Sequence, residues 1–205
     1  MEDDRAGQAW QWDHAFGKVE ITDLVCKGQN TVDFRFPYDF LSDVEQAYIV
    51  GDFGVRLSNP YEGEIINEPA ELSNGSWLEQ GYPFYSGNMT YMTSVDIPGD
   101  GKRTFLRLNR PSGILYAIRV NGKDAGKILW RPFELELTPC LQAGRNELEI
   151  EVISSRQNTF GPLHEREGDD YIGCGPGNFE AEGMIREEFS LFDYGLLGGA
   201  ELIRV

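Results

Sequence analysis

Trp77, Glu79, Tyr82, Phe84 and Tyr85 fall within nine residues, and with Gly81 and Pro83 they form a turn-prone segment crowded with rings. Sugars present apolar C–H faces between hydroxyl groups, so a flat ring beside polar side chains is the pairing that binds them. Trp130 adds a further ring, while Asn158 and His164 lie in Asn158-Thr-Phe-Gly-Pro-Leu-His164. That stretch is too rich in turn residues for a regular strand, and as a loop it could offer two polar tips. The same residues have a purely structural use. Gly81 and Pro83 bend the chain ahead of a strand starting near Tyr85, and rings at such a corner also plug the end of a β-structure. Asn158 suits the capping of loop backbone, and His164 a structural hydrogen bond. At the level of sequence both uses stand.

Other chemistries are poorly served. His164 is one of only two histidines, and no second His or Cys stands at zinc-ligand spacing from it. Glu165-Arg-Glu-Gly-Asp-Asp170 is acidic enough to raise structural calcium, which takes six to eight oxygens, but it lacks the spacing of a calcium loop. Beyond that candidate no cofactor is expected. Gly173-Cys-Gly-Pro-Gly177 has neither a GK[ST] ending nor a strand-to-helix setting, so it reads as a loop. Glycoside hydrolysis needs two carboxyl groups at a set separation, and with 34 acidic residues an accidental pair proves little. No GxSxG elbow is present. Catalysis by this chain alone is not expected.

The formal charge of −16 opposes a phosphate backbone or an anionic bilayer, so neither nucleic acid nor membrane is an expected partner. No apolar run approaches the ~20 residues of a spanning helix. Residues 1–20 are acidic and polar, unlike a signal sequence. Cys26, Cys140 and Cys174 cannot all pair within one chain, and no CxxC occurs, which weakly favours a reducing compartment. Localisation stays open. Asn74-Gly-Ser76 and Asn88-Met-Thr90 match the glycosylation acceptor pattern, which matters only on a eukaryotic secretory route.

The elements that must hold these residues are short strands. Met89–Ile97, Thr104–Leu108, Leu115–Val120, Phe133–Leu137 and Asn146–Val152 alternate apolar with polar, as half-buried strands do. Turn signals separate them at Pro98–Lys102, Pro111–Gly113, Asn121–Asp124 and Ala143–Asn146. In Val120-Asn-Gly122 the Asn-Gly pair predicts a type I′ hairpin. Helix candidates are confined to Ser42–Gln46 and Thr138–Leu141. The pattern predicts an all-β fold, an antiparallel β-sandwich or jelly roll.

A repeat divides the chain. Residues 19–36 align without a gap on residues 135–152, with Glu20/Glu136, Thr22/Thr138, Gly28/Gly144 and Asn30/Asn146 identical and six further positions apolar in both. Each copy reads as a strand, a helical turn opened by Thr, a Gly-x-Asn turn and an alternating strand. The second copy is preceded by partner strands and the first is not. Residues 1–44 are therefore expected to be the closing strands of a preceding sandwich, or extra strands on the main domain, and 45–205 a fuller sandwich.

The order Trp77, Gly81-Tyr-Pro-Phe-Tyr-Ser-Gly87, Tyr91, Val120-Asn-Gly122, Pro132-Phe133, Leu137-Thr138, Leu141, Gly144-Arg-Asn146 and Asn158…His164 resembles the sugar-binding-like β-sandwich domains of family 2 glycoside hydrolases and their relatives. It covers roughly residues 45–205, with Gly51–Val55 leading in and Tyr194–Leu197 in the last strand. The resemblance implies a galactose-binding-like jelly roll, non-catalytic, attached to a larger carbohydrate-active enzyme. Its expected partners are carbohydrate and the catalytic and neighbouring domains of a parent chain. A module that contacts sugar would stack it on Trp77, Tyr82, Phe84, Tyr85 and Trp130 and hold hydroxyls with Glu79, Asn158 and His164. A module that only buttresses its neighbours would use none of them so.

Overall fold

A computed structural model of the chain describes residues 17–35, 37–40, 47–161, 164 and 187–205. The Ser42–Gln46 helix, the acidic run Glu165–Asp170 and the glycine-rich Gly173–Gly177 with Cys174 lie outside the described residues. The chain divides into two compact units, Met1–Val44 and Glu45–Val205.

The second unit is an antiparallel β-sandwich. Its longest ladder joins β3 (Asn88–Ile97) to β9 (Gly144–Ile153), from Asn88 opposite Ile153 to Ile97 opposite Gly144. The other edge of β9 pairs with β6 (Leu115–Val120), and β6 with β7 (Lys123–Ile128), giving the order β3-β9-β6-β7. A second sheet has β4 (Thr104–Leu108) between β11 (Ala200–Arg204) and β8 (Glu134–Glu136). Two smaller pairs complete it, the hairpin of β1 (Phe53–Asn59) with β2 (Glu62–Asn67), and β5 (Pro111–Ser112) with β10 (Gly195–Leu196).

Alternation in the sequence becomes two faces because successive side chains on a strand point oppositely. On β9, Asn146, Leu148, Ile150 and Val152 are buried, and on β6 Tyr116, Ile118 and Val120 are. Pairing sets Ile118 opposite Ile150 and Val120 opposite Leu148. From the other sheet Leu106 and Leu108 of β4 join the same core cluster. Each such side chain contributes about 1.5–3 kcal/mol by leaving water. The outward face of the β4 sheet is ionic. Arg107 pairs with Glu134 at 2.6 Å, and Arg103 binds the Glu136 carboxylate through two nitrogens at 2.6 and 3.0 Å. The Arg103 hydrogen bond holds the Glu136 carboxyl below the usual carboxylate range.

Turn chemistry follows the residue types. Asn121 and Gly122 have φ of 52° and 74°, the two positive values that a type I′ turn demands, and Val120 faces Lys123 across it. Asn146, wholly buried, knots the turn that opens β9. Its amide donates to the carbonyls of Gln142 (2.8 Å) and Gly144 (2.9 Å), and its oxygen accepts from Gln142 N (2.9 Å) and Asn121 Nδ2 (2.9 Å). The expected helix at Thr138–Leu141 is a single 3-10 turn, Thr138–Cys140. β1, β2, β7 and β11 were not among the alternating segments of the sequence. Gly126 and Lys127 interrupt β7's pattern, and β2 is mostly exposed on both faces.

Tyr116 sits in the core with burial pushing its phenol up to about 12. An unfolded phenol loses its proton near pH 10, so between about pH 10 and 12 the unfolded chain binds fewer protons than the folded one and stability falls as pH rises. The slope from this group is about 1.4 kcal/mol per pH unit. Urea unfolding at about pH 9 and about pH 11.5 is expected to show Tyr116→Phe losing less stability than the parent over that interval. Equal losses would place no titration at Tyr116.

In the first unit, described by itself, Thr22–Leu24 form a 3-10 turn. Among the described residues, 29–35 have no strand partner. Exposed apolar side chains there include Val19, Leu24, Val32, Phe34, Tyr38 and Phe40.

Candidate functional site

The ring-rich segment is built on one tight corner. Leu78–Gln80 form a 3-10 turn that Gly81 ends in the left-handed region at φ 92°. The backbone N–H groups of Gln80 and Tyr82 both donate to Trp77 O, at 3.1 and 3.0 Å, and Gly81 O accepts from Val55 N of β1 at 2.8 Å. A Cβ on Gly81 would lie 2.8 Å from Pro69 Cγ, so glycine is required here by space as well as by φ. Gln80 serves the corner too, accepting from Ser73 N at 2.7 Å and donating to Ser76 O at 3.0 Å.

Trp77 faces inward. It is 1% exposed, its indole N–H donates to Tyr91 Oη at 2.8 Å, and its ring meets Tyr85 edge-on at 6.1 Å and Tyr194 at 6.0 Å. Gly195 packs so closely that a Cβ there would fall 2.5 Å from Gly75 O and 2.9 Å from Trp77 Nε1. Asn158, on the short helix α1 (Gln157–Phe160), is also buried at 1%. Its Oδ1 accepts from Phe192 N (2.9 Å) and its Nδ2 donates to Phe192 O (2.8 Å), fastening the returning chain. Next to it Thr159 Oγ1 donates to Phe84 O at 2.6 Å.

Surface begins at Tyr82 and Tyr85, whose rings meet edge-to-face at 5.7 Å. Tyr85 is 37% exposed, lies over Gly87, and donates to Asn88 O at 3.1 Å. Tyr82, half-buried, donates to Pro69 O at 3.1 Å with Glu68 Oε1 at 3.5 Å. Burial raises the pKa of both phenols, and the Glu68 carboxylate raises them further. Both therefore remain neutral hydrogen-bonding groups at physiological pH. Glu79 is exposed on the 3-10 turn leading to them.

A second aromatic group surrounds Phe189. Phe84 meets it edge-on at 5.0 Å, and the His164 ring lies 5.0 Å away on a tilted plane. His164 Nδ1 is 3.1 Å from Glu187 O, so this nitrogen is engaged with backbone. Trp130, in the β7–β8 connection, is 72% exposed, and among the described residues no ring contact or hydrogen bond joins it to either group. The residues singled out in the sequence thus fall into three places: Trp77, Tyr82 and Tyr85 together, Phe84 with His164 and, through Thr159, Asn158, and Trp130 apart from both. The sequence reading missed Glu68, Phe189 and Tyr194 as partners. Nothing local marks them, since all three reach the corner from elsewhere in the chain. Tyr91 was readable as an inward position of β3. Among the described residues, no group of three or more His, Cys, Asp or Glu could hold a metal ion, and no helix is long and apolar enough to cross a membrane.

No family model and no curated protein matches the chain. Among solved structures it is similar to a rhamnosidase from Novosphingobium sp. PP1Y, at 24% identity over 80% of this chain and 16% of that one, with a TM-score of 0.47. It is also similar to a Bifidobacterium dentium β-glucuronidase complexed with coumarin-3-O-glucuronide, at 23% identity over 73% and 26% of the two chains, TM-score 0.41. A calcium-binding mutant of Bacteroides uniformis β-glucuronidase 2 overlaps at 22% identity over 60% and 12%, TM-score 0.38. The chain spans about a quarter or less of each of these proteins.

Proposed function

We propose that residues 45–205 are a non-catalytic accessory β-sandwich of a larger glycoside hydrolase, and that its surface contact with carbohydrate runs over Tyr82 and Tyr85. The sequence resemblance supports the first part. The observation that carries the second is the Tyr85 ring, partly exposed beside Tyr82, with neutral hydroxyls at its edge, the Glu68 carboxylate reaching Tyr82 from the chain after β2, and Glu79 exposed on the adjoining 3-10 turn. A ring face with hydroxyl and carboxylate neighbours offers stacking and hydrogen bonding together, as a sugar requires. Trp77 supports this surface from beneath. Phe84 and His164 form a second, half-buried patch beside Phe189.

A second reading has its own observation. Trp130 at 72% and Leu129 at 48% exposed stand on one connection, and exposed large apolar side chains in company mark protein contact. In this reading the module packs on neighbouring domains and meets no sugar.

A glycan-array screen of the chain separates the two, using Tyr85→Ala as the site variant and circular dichroism to verify its fold. Selective binding weakened about two- to tenfold by Tyr85→Ala is expected, since one stacked ring contributes about 0.5–1.5 kcal/mol beyond its area. Absence of binding to every glycan tested would sink the sugar contact and leave the packing module.

A further inference from the structure

The repeat extends to the hydrogen bonds, atom for atom. Asn30 Nδ2 donates to Cys26 O (2.8 Å) and Gly28 O (3.0 Å), and its Oδ1 accepts from Cys26 N (2.9 Å). Asn146 makes the same three bonds to residues four and two places before it. Gly28 and Gly144 both have positive φ, 108° and 89°. The 3-10 turns coincide as well. Leu24 N and Val25 N donate to Ile21 O at 2.9 and 3.2 Å, as Cys140 N and Leu141 N donate to Leu137 O at 2.8 and 3.2 Å.

What differs is the surroundings. In the second copy the strand after the turn, β9, is paired along both edges, by β3 and by β6, and Leu148 and Ile150 are 4% exposed. The equivalent Val32 and Phe34 are 54% and 66% exposed. Between them Thr31, Asp33 and Arg35 keep the polar alternation of Glu147, Glu149 and Glu151.

We infer that residues 19–35 are a strand–turn–strand insert for a second β-sandwich sheet, one that offers two antiparallel edges with a slot between them and an apolar inner face. The turn, the register-setting glycine and the period-two pattern are already those of an element that occupies such a slot. The slot between β3 and β6 is not its place, because β9 fills it. The occupant of the Val32/Phe34 face is therefore a different sheet of the same kind. This inference is independent of whether the sandwich touches sugar.

Grafting tests it within the intact chain. In one chimera residues 135–152 are replaced by the sequence of residues 19–36. In a second the same graft carries Val32→Leu, Phe34→Ile and Phe36→Val, which restores the side-chain sizes of the second copy. Cooperative urea unfolding with a retained β-sheet spectrum is expected of at least one. Adding Asn30→Ala to a graft that folds should lower its midpoint clearly. If neither graft shows a cooperative transition, or a folded graft is indifferent to Asn30→Ala, residues 19–35 are not an element of this kind.

Discussion

Trp77→Ala is expected to remove about 3–5 kcal/mol of stability, the range for deleting a large buried aromatic. For a domain of this size that corresponds to a fall in melting temperature of roughly 6–20 °C. The cost has three sources. The indole leaves a cavity bounded by Tyr85 and Tyr194, its N–H no longer meets Tyr91 Oη, and the backbone of Gly195 loses the surface it was shaped against. Trp77→Phe keeps most of the ring and should cost clearly less. Calorimetry on both variants checks this, and a Trp77→Ala melt within about 2 °C of the parent would mean that the ring is not packed as described. One practical result follows for ligand work. Loss of binding in Trp77→Ala would report a damaged corner, so Tyr85 is the position at which to ask about sugar.

Asn146→Ala is expected to cost about 2–4 kcal/mol, because it empties a wholly buried site and strips the Gln142 N–H, the Gln142 and Gly144 carbonyls and the Asn121 amide of their common partner. Asn146→Asp should be nearly as damaging above the carboxyl's pKa. One carboxylate oxygen can replace Oδ1, but the other then faces the carbonyls of Gln142 and Gly144 that the amide had satisfied. Asn30→Ala, which deletes the same three bonds at an exposed turn, should leave the unfolding of the sandwich nearly unchanged. Urea titrations of the three variants give the contrast. Equal losses at Asn30 and Asn146 would show that local turn chemistry, rather than burial, sets the value of the network.

That contrast also explains what could be read in the sequence. The Gly-x-Asn turn is local, and both copies form it as the residue types dictate. The strands around Thr104–Leu108 and Leu115–Val120 were legible because one face of each is buried and the alternation is clean. β7 and β2 were not, since Lys123-Asp-Ala-Gly-Lys has no apolar face to reveal it and β2 is exposed on both. Alternation was likewise insufficient at residues 31–35. A strand exists through its neighbours, and no partner for these residues stands among those described. At the candidate site the rings were readable but their directions were not. Whether Trp77 points in or out depends on Tyr91, Tyr194 and Gly195, at least 14 residues away along the chain. Asn158 presents the same difficulty, as its partner Phe192 lies 34 positions on.

The position of β4 between β8 and β11 has a consequence during synthesis. Thr104 pairs with Arg204, so this sheet waits for about 100 further residues, roughly 5–20 s of translation, before its last strand arrives. β3 likewise waits for β9, whose pairing residues begin at Gly144. Through that interval Leu106, Leu108, Met89 and Tyr91 have no finished core to enter. The nascent chain thus carries unpaired edges and uncovered apolar side chains until the ribosome has passed the final strand. Strand order thus sets how long these edges stay open to other chains during synthesis.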